Sequence, residues 1–253
     1  MKKLISLFIF MLLPLMARAD AVEIDGIYYN LVTKTKQAEV VKNPSFYSGT
    51  IIIPETVSYN GVTYYVTSIG NQAFGYCDGL ISILIPRSII SIGDQAFWNC
   101  RSLTTITIDE GLKTIGYQSF RGCSNINTFL IPSSVTSIGG QAFQECNGLT
   151  AVYITDIVAW CKISFGDPES NPLYYAHSLF LNSQEITILE IPDSVTSICK
   201  YAFYGYSSMT YLKFSNNVNS IAESAFQECS GLSSVIIPNS LNSISNGTFC
   251  GCI

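Results

Sequence analysis

A 23-residue repeat runs through most of the sequence and constrains the fold more than any other feature. Each unit begins with a Ser/Thr-Ile pair, and these pairs start at Ser68, Ser91, Thr114, Ser137, Ser197, Ser220 and Ser243. Successive pairs start 23 residues apart, as 91 − 68 = 23 shows. The exception is the step from Ser137 to Ser197, where 197 − 137 = 60, so one unit carries an insertion. A fixed period of this length is typical of solenoids, in which each unit forms one coil stacked on the next.

Apolar residues occupy fixed positions in each unit, counted from Ser68 as position 1. Positions 16 and 18 are apolar around a variable position 17, which predicts a short strand with one buried face. A glycine at position 3, such as Gly70, favours a tight turn. The Ala-Phe-x-x-Cys stretch that follows predicts a single helical turn with its phenylalanine inside. Position 7 is always phenylalanine: Phe74, Phe97, Phe120, Phe143, Phe203, Phe226 and Phe249.

One coil alone cannot be stable. It buries too few apolar side chains to offset the conformational entropy lost when its backbone becomes ordered. Stacking adds parallel-strand hydrogen bonds and a core shared with each neighbour, which is how repeat arrays become stable. We therefore expect the phenylalanine and isoleucine positions to form continuous internal columns.

The full motif is Leu-x-x-Ile-x-Ile-Pro-x-Ser-Val-x-Ser-Ile-Gly-x-x-Ala-Phe-x-x-Cys. It resembles the BspA-type leucine-rich repeat of bacterial surface proteins, and the resemblance covers residues 50–253 apart from two interruptions. We predict a β-rich (α+β), leucine-rich-repeat-like solenoid, a right-handed stack of 23-residue coils with short parallel strands and single helical turns. The resemblance implies adhesion to host proteins, extracellular-matrix proteins or other cells.

Residues 1–19 have the pattern of a secretory signal peptide. Lys2 and Lys3 precede an apolar stretch at 4–16, and Ala17-Arg18-Ala19 forms a cleavage motif, so cleavage is predicted after Ala19. The apolar stretch is shorter than the about 20 residues that span a membrane. We therefore expect an exported protein, secreted or at the cell surface, with no membrane-spanning segment.

The remaining chain divides into two predicted parts. Residues 20–67 form an N-terminal cap and half repeat, in which Asn60-Gly61 indicates a hairpin turn. Residues 68–253 form the solenoid, with an insertion at 155–185 and an incomplete last repeat. The insertion is expected to contain a short helix with Asp156 at its N-cap.

Composition restricts the classes of partner. Without the signal peptide the chain has 10 basic and 18 acidic residues, a formal charge of −8. This charge argues against nucleic acid and anionic membranes, because both bind through basic surfaces. Only 12% of all residues are charged and 48% are hydrophobic, so either much of the chain is buried or apolar surface is covered by a partner.

Residues with catalytic or metal-binding chemistry are few. His177 is the only histidine; it shares the insertion with Cys161, but no orienting or oxyanion motif accompanies them. We predict no enzymatic activity, no cofactor and no metal site. Six cysteines recur at position 10, where parallel side chains favour free buried thiols over disulfides: Cys77, Cys100, Cys123, Cys146, Cys229 and Cys252.

The exposed strand positions are the main candidate for binding. They are rich in Ser and Thr, with apolar and aromatic residues and little charge. Strand propensity alone could account for the Thr residues, whereas exposed Leu, Tyr and Ile on one face are associated with protein contacts. The candidate ligand-binding residues of this strand face are Leu84, Thr105, Thr107, Thr128, Leu130, Tyr153, Tyr211, Lys213 and Ile236.

The insertion contains a second candidate. Trp160, Tyr174 and Tyr175 could form an exposed aromatic knob, although a packed excursion that rejoins the stack is the favoured interpretation. Extracellular or host proteins are the expected partners. The alternatives are a carbohydrate-binding module, using aromatic platforms that include Trp98, and a structural spacer within a larger surface protein.

Overall fold

The computed structural model describes residues 21–252, and the predicted signal peptide lies outside the described residues. The chain winds into coils that stack in register, so that each strand residue of the regular part pairs with its equivalent in the next coil, as Ile92 does with Ile69 and Ile115. Helix is confined to two α-helices of four residues and a three-residue 3-10 helix within the described range. The predicted β-rich solenoid is confirmed.

One side of the stack carries two-residue strands formed by the Ser/Thr-Ile pairs. Strands are numbered in chain order. Parallel pairing joins the end of β6 (Val62–Ile69) to a continuous series, and a separate pair follows the insertion. The series is β8 (Ser91–Ile92), β10 (Thr114–Ile115), β12 (Ser137–Ile138) and β14 (Ser164–Phe165), and the pair is β18 (Ser197–Ile198) and β20 (Ser220–Ile221).

The other side carries the longer strands, including those predicted at positions 16 to 18. They form three separate sheets and not one continuous sheet. The first contains β4 (Ser48–Ile52), β7 (Gly79–Ile85) and β9 (Thr105–Ile108). The second contains β11 (Thr128–Ile131), β13 (Ala151–Ile154), β15 (Leu179–Leu181) and β16 (Gln184–Glu185), and the third β17 (Ile188–Glu190), β19 (Tyr211–Lys213) and β21 (Ser234–Ile236).

Additional strands precede the first regular coil. They are β1 (Val22–Ile24), β2 (Ile27–Val32), β3 (Gln37–Val40) and β5 (Thr56–Tyr59). Antiparallel pairing links β1 to β2 and β2 to β3, and β3 then pairs in parallel with β6. Asn60 and Gly61 both have positive φ and connect β5 to β6, which confirms the hairpin.

The phenylalanines of position 7 form the centre of the core. Phe97 stacks on Phe74 and on Phe120 with ring centroids 5.0 Å apart in both cases and ring planes within 4° of parallel. The stack continues to Phe143 and resumes between Phe203 and Phe226. The predicted internal column is therefore present, with one interruption at the insertion.

The turn that carries these phenylalanines is not helical, contrary to the prediction. Gln72 and Tyr76 have φ near +60°, which is incompatible with a right-handed helix. The N–H groups of Gln72, Phe74 and Tyr76 donate to carbonyls of the next coil. The intervening N–H groups of Ala73, Gly75 and Cys77 donate to the residue three positions earlier. Each turn is thus bonded both within itself and to its neighbour.

The glycines at position 3 have a different role from the one predicted. None of Gly93, Gly116 and Gly139 has positive φ. A Cβ atom at Gly116 would lie 2.6 Å from the carbonyl carbon of Gly93 and 2.7 Å from the backbone nitrogen of Asp94. These glycines are needed because successive coils approach closely through their backbones.

The insertion, although irregular, continues both strand series through β14 and β15. Asp156 caps helix α1 (Ile157–Trp160), as predicted, and a 3-10 helix (Pro168–Ser170) and α2 (Leu173–Ala176) follow. Trp160 donates from Nε1 to the carbonyl of Ala202 at 2.8 Å, and Asn171 donates from Nδ2 to the same oxygen at 3.0 Å. In the regular coils, the carbonyl oxygen of Ala96, at the same repeat position as Ala202, accepts a hydrogen bond from the backbone N–H of Phe74 in the preceding coil. At the insertion, side-chain donors replace this backbone donor.

Close backbone packing gives a stability prediction. Gly116→Ala is expected to lower the free energy of unfolding by about 1–3 kcal/mol, because the new methyl group meets backbone atoms that cannot rotate away. Chemical denaturation of the variant and the parent chain measures this change.

Gly75→Ala is the matched control. Gly75 is buried and Gly116 is half-buried, yet the added Cβ of Gly75 would meet its nearest neighbour at 3.4 Å, an ordinary contact, and the φ of Gly75 is not positive. An equal loss of stability in the two variants would contradict close packing at position 3.

Candidate functional site

The first candidate surface is a row of position-17 side chains on the strand face. Parallel register places Ile52 beside Leu84 and Leu84 beside Thr107 in the first sheet. In the second sheet Leu130 lies beside Tyr153, and Tyr153 beside Phe180. We call these residues the position-17 row: Ile52, Leu84, Thr107, Leu130, Tyr153 and Phe180.

The position-17 row is uncharged and, apart from Thr107, apolar, and its side chains are exposed or half-buried. Ile52 is 65% exposed and Leu130 is 39% exposed, while Leu84, Tyr153 and Phe180 are half-buried. The rings of Tyr153 and Phe180 stack with centroids 4.8 Å apart. Leu130, Tyr153 and Phe180, on adjacent strands of the second sheet, therefore present a contiguous apolar surface.

Hydroxyl groups border this row at position 15. Thr105 and Thr128 are exposed, as predicted. Ser82 donates a hydrogen bond from Oγ to Oγ1 of Thr50 at 2.8 Å, which extends the hydroxyl series into the first strand of the sheet. The border can donate and accept hydrogen bonds without adding charge.

The remaining predicted strand-face residues belong to a different sheet. Strand β16 runs antiparallel to β15 and ends the second sheet, so Tyr211, Lys213 and Ile236 lie in the third sheet. Lys213 Nζ lies 3.4 Å from Glu190 Oε2. The structure therefore divides the predicted residues into an uncharged group and a group containing an ion pair.

Trp160 is not part of an exposed knob, and its position agrees with the favoured interpretation of a packed excursion. Trp160 is only 1% exposed, because its ring fills the core where the phenylalanine column is interrupted and its Nε1 bonds across to the next coil. Tyr174 and Tyr175 are half-buried and retain exposed ring surface. The insertion thus combines a packed excursion with two accessible tyrosines.

A ladder of glutamine amides at position 5 has no counterpart in the sequence-based predictions. Gln72 donates from Nε2 to Oε1 of Gln95 at 2.7 Å, Gln95 donates to Gln118 at 2.9 Å, and Gln118 donates to Gln141 at 2.7 Å. All four residues have φ between 52° and 56°. The recurrence of Gln at position 5 of successive units could have indicated a ladder. It did not indicate positive φ, because glutamine is not a residue that usually adopts it.

The thiols at position 10 form a second ladder. Cys100 donates from Sγ to the carbonyl of Phe74 at 2.9 Å, and Cys123 does the same to Phe97 at 3.1 Å. All nine cysteines are free in the structure, and five of the six at position 10 are buried, while Cys252 is half-buried. Cys100 and Cys123 are more than small apolar residues, because each thiol donates a hydrogen bond that joins two coils.

Comparison with known protein families identifies the family of the repeat. Residues 41–166 and 174–253, well over half of the chain, match the BspA type leucine rich repeat region in six copies. The chain belongs to the BspA-type leucine-rich repeat family. No curated protein matches the sequence.

Solved structures of similar fold come from several bacteria. A leucine-rich repeat protein of T. pallidum is 21% identical with a TM-score of 0.53, over 91% of this chain and 88% of that one. A leucine-rich repeat protein of Bacteroides capillosus is 26% identical with a TM-score of 0.48, over 54% and 99% of the two chains. A leucine rich cell surface protein of Faecalibacterium prausnitzii is 21% identical with a TM-score of 0.41, over 92% and 80%. The T. pallidum likeness supports the solenoid fold.

Cys161 and His177, the thiol and the imidazole of the insertion in this BspA-type repeat protein, have different environments. Cys161 is buried, whereas His177 is exposed and bonds through Nδ1 to the carbonyl of Gly205 at 3.0 Å. Across residues 21–252, His, Cys, Asp and Glu form no group of three suited to a metal ion. The helices in that range are also too short or too polar to cross a bilayer.

The thiol and phenol groups give a prediction about alkaline stability. Burial raises the pKa of Cys146 and Cys161 to about 12 from the ordinary value of 9.0, and that of Tyr47 to about 12 from 10.0. Above pH 9 the unfolded chain releases protons that the folded chain retains, so stability falls as pH rises. We expect the free energy of unfolding to be steady from pH 7 to 8 and to decrease between pH 9 and 11.

Denaturant titrations at each pH measure this dependence. Cys146→Ala, which removes one such group, should show a shallower decrease above pH 9 than the parent chain. A free energy of unfolding that stays constant to pH 11 would contradict the burial of these thiols.

Proposed function

We propose that this protein is a non-catalytic binding protein, secreted or at the cell surface, that contacts another protein through the position-17 row. The observation that carries the proposal is the uncharged apolar surface formed by Leu130, Tyr153 and Phe180 on adjacent strands. Export is supported by the signal-peptide pattern at 1–19.

The composition of the row favours a protein partner. Strand propensity accounts for exposed threonines such as Thr107, but the core does not require Leu130 or Ile52 to be apolar, since both side chains face solvent. Protein interfaces are depleted of charge at their centre and enriched in aromatic residues. A centre of Leu, Tyr and Phe with a border of Ser and Thr has this composition.

The third sheet is a weaker candidate for the same role. Ile188 and Ile236 are exposed there, but Glu190 occupies position 17 on the strand of Ile188, and Lys213 occupies it on the strand between Glu190 and Ile236. Binding of a partner over this sheet would require desolvation of an ion pair, which opposes association. We therefore place the main contact on the first two sheets.

Removal of apolar surface from the row tests the proposal. The double variant Leu130→Ser/Tyr153→Ser is expected to lose at least tenfold in affinity for its partner, because truncating central residues of an interface removes most of its binding energy. The measurement is binding of the chain without residues 1–19 to a panel of purified extracellular-matrix and host cell-surface proteins.

The matched control is Ile90→Ser/Tyr117→Ser. Ile90 and Tyr117 are 50% and 46% exposed, but they lie at positions 23 and 4, away from the strand face. The control should bind as the parent chain does. Unchanged binding by the Leu130→Ser/Tyr153→Ser variant, or failure of the parent chain to bind any protein of the panel, would favour the spacer role.

A further inference from the structure

A cluster of four tyrosines lies where the insertion meets the following coil. Tyr174 stacks on Tyr204 with centroids 5.7 Å apart and an interplanar angle of 20°. Tyr175 meets Tyr174 edge-on at 4.9 Å, and Tyr201 meets Tyr204 edge-on at 6.1 Å. We call these four residues the tyrosine cluster. It lies on the turn side of the solenoid, since Tyr201 and Tyr204 occupy positions 5 and 8.

Several bonds between coils hold the cluster in place. Tyr175 accepts a hydrogen bond at its hydroxyl from the backbone N–H of Glu145 at 2.9 Å, and Asn171 donates to the carbonyl of Tyr201 at 2.7 Å. Gly205, with φ of +75°, allows the backbone of Tyr174 to approach so closely that a Cβ atom at Gly205 would lie 3.2 Å from the Tyr174 Cα. The rings are therefore preorganised before any ligand arrives, which lowers the entropic cost of binding.

The core does not require this much exposed aromatic surface. All four tyrosines are half-buried, whereas Trp160, Phe203 and Leu173 of the same region are fully buried and fill the interior. Within residues 160–230, Ile188 is the only large hydrophobic side chain that is mostly exposed, and it lies on the strand side, away from the tyrosines. The tyrosine cluster thus differs from the strand face, where aliphatic side chains predominate.

Polar groups surround the rings. Tyr204 has its pKa raised by burial and by the nearby carboxylate of Glu228, and Tyr175 has its pKa raised to about 12 by burial, with Glu169 adding to the effect. Gln144 donates from Nε2 to Glu169 at 2.8 Å. Lys200 lies 4.8 Å from the centre of the Tyr201 ring and is paired with Glu223 at 2.9 Å, so its charge is compensated.

We propose that the tyrosine cluster is a binding site for neutral saccharides, separate from the strand face. A pyranose ring presents a face of C–H groups, which fits an aromatic ring, and a rim of hydroxyls, which fits phenol, carboxylate and amide groups. The carboxylates of Glu169 and Glu228 disfavour sialylated or sulfated sugars by charge repulsion. The stacked pair Tyr174 and Tyr204 supplies the main contact surface, and this inference does not depend on the proposed role of the strand face.

Binding to an array of neutral oligosaccharides, built from hexose and N-acetylhexosamine units, tests the site. The chain without residues 1–19 should bind at least one of them, and Tyr174→Ala and Tyr204→Ala should each weaken that binding at least tenfold. Tyr204→Phe keeps the ring and should weaken it less. Tyr65→Ala, at an exposed tyrosine of β6, and Leu130→Ser/Tyr153→Ser should leave it unchanged.

Thermal unfolding of each variant separates loss of the site from loss of the fold. If Tyr174→Ala unfolds early, Tyr204→Phe and Tyr204→Ala still compare ring with no ring at one position. The proposal is overturned if no neutral oligosaccharide binds at millimolar concentration, or if only anionic sugars added to the array bind. Equal binding by the parent chain and both alanine variants would also overturn it.

Discussion

Hydrogen bonding between coils is the constraint on which the rest of the structure depends. In the regular turns that are followed by another coil, alternate N–H groups donate to that coil, as Phe74 does to Ala96 and Phe97 to Ser119. A buried donor without a partner costs more than the bond itself contributes, so a coil cannot be satisfied without its neighbour. Close approach of the backbones follows, and it explains the glycines at position 3, the ring spacing of 5.0 Å and the thiols that reach the preceding coil.

This arrangement separates the repeat positions that build the stack from position 17, whose residue type differs from unit to unit. Inward positions and the glutamine ladder connect coils, whereas the position-17 side chains lie exposed or half-buried on the strand face. The insertion shapes both candidate surfaces, because it ends the second sheet at β16 and brings Tyr174 against Tyr204. Two surfaces of different chemistry result: an aliphatic and hydroxyl-rich strand side, and a tyrosine-rich site on the turn side.

Features governed by local chemistry or by the period could be predicted from the sequence. The phenylalanine column followed from the constant step of the repeat, the β5–β6 hairpin from Asn60-Gly61, and helix α1 from the capping role of Asp156. Features that depend on contact between coils could not be predicted from the sequence. The left-handed turns use Gln, which has no strong turn signal, and the burial of Trp160 depends on where a non-repeating segment rejoins the stack. For the same reason Ile52 and Phe180 were missed as members of the position-17 row, since both lie outside the regular units.

A double-mutant cycle on Phe97→Leu and Phe120→Leu tests in-register stacking most directly. Their rings lie 5.0 Å apart, so the two changes should be coupled by about 0.5–1.5 kcal/mol in the free energy of unfolding. The pair Phe97→Leu and Phe226→Leu, on opposite sides of the insertion, should be additive within about 0.5 kcal/mol. Additivity of the first pair would show that these phenylalanines do not form one column, and would contradict the stacked-coil account.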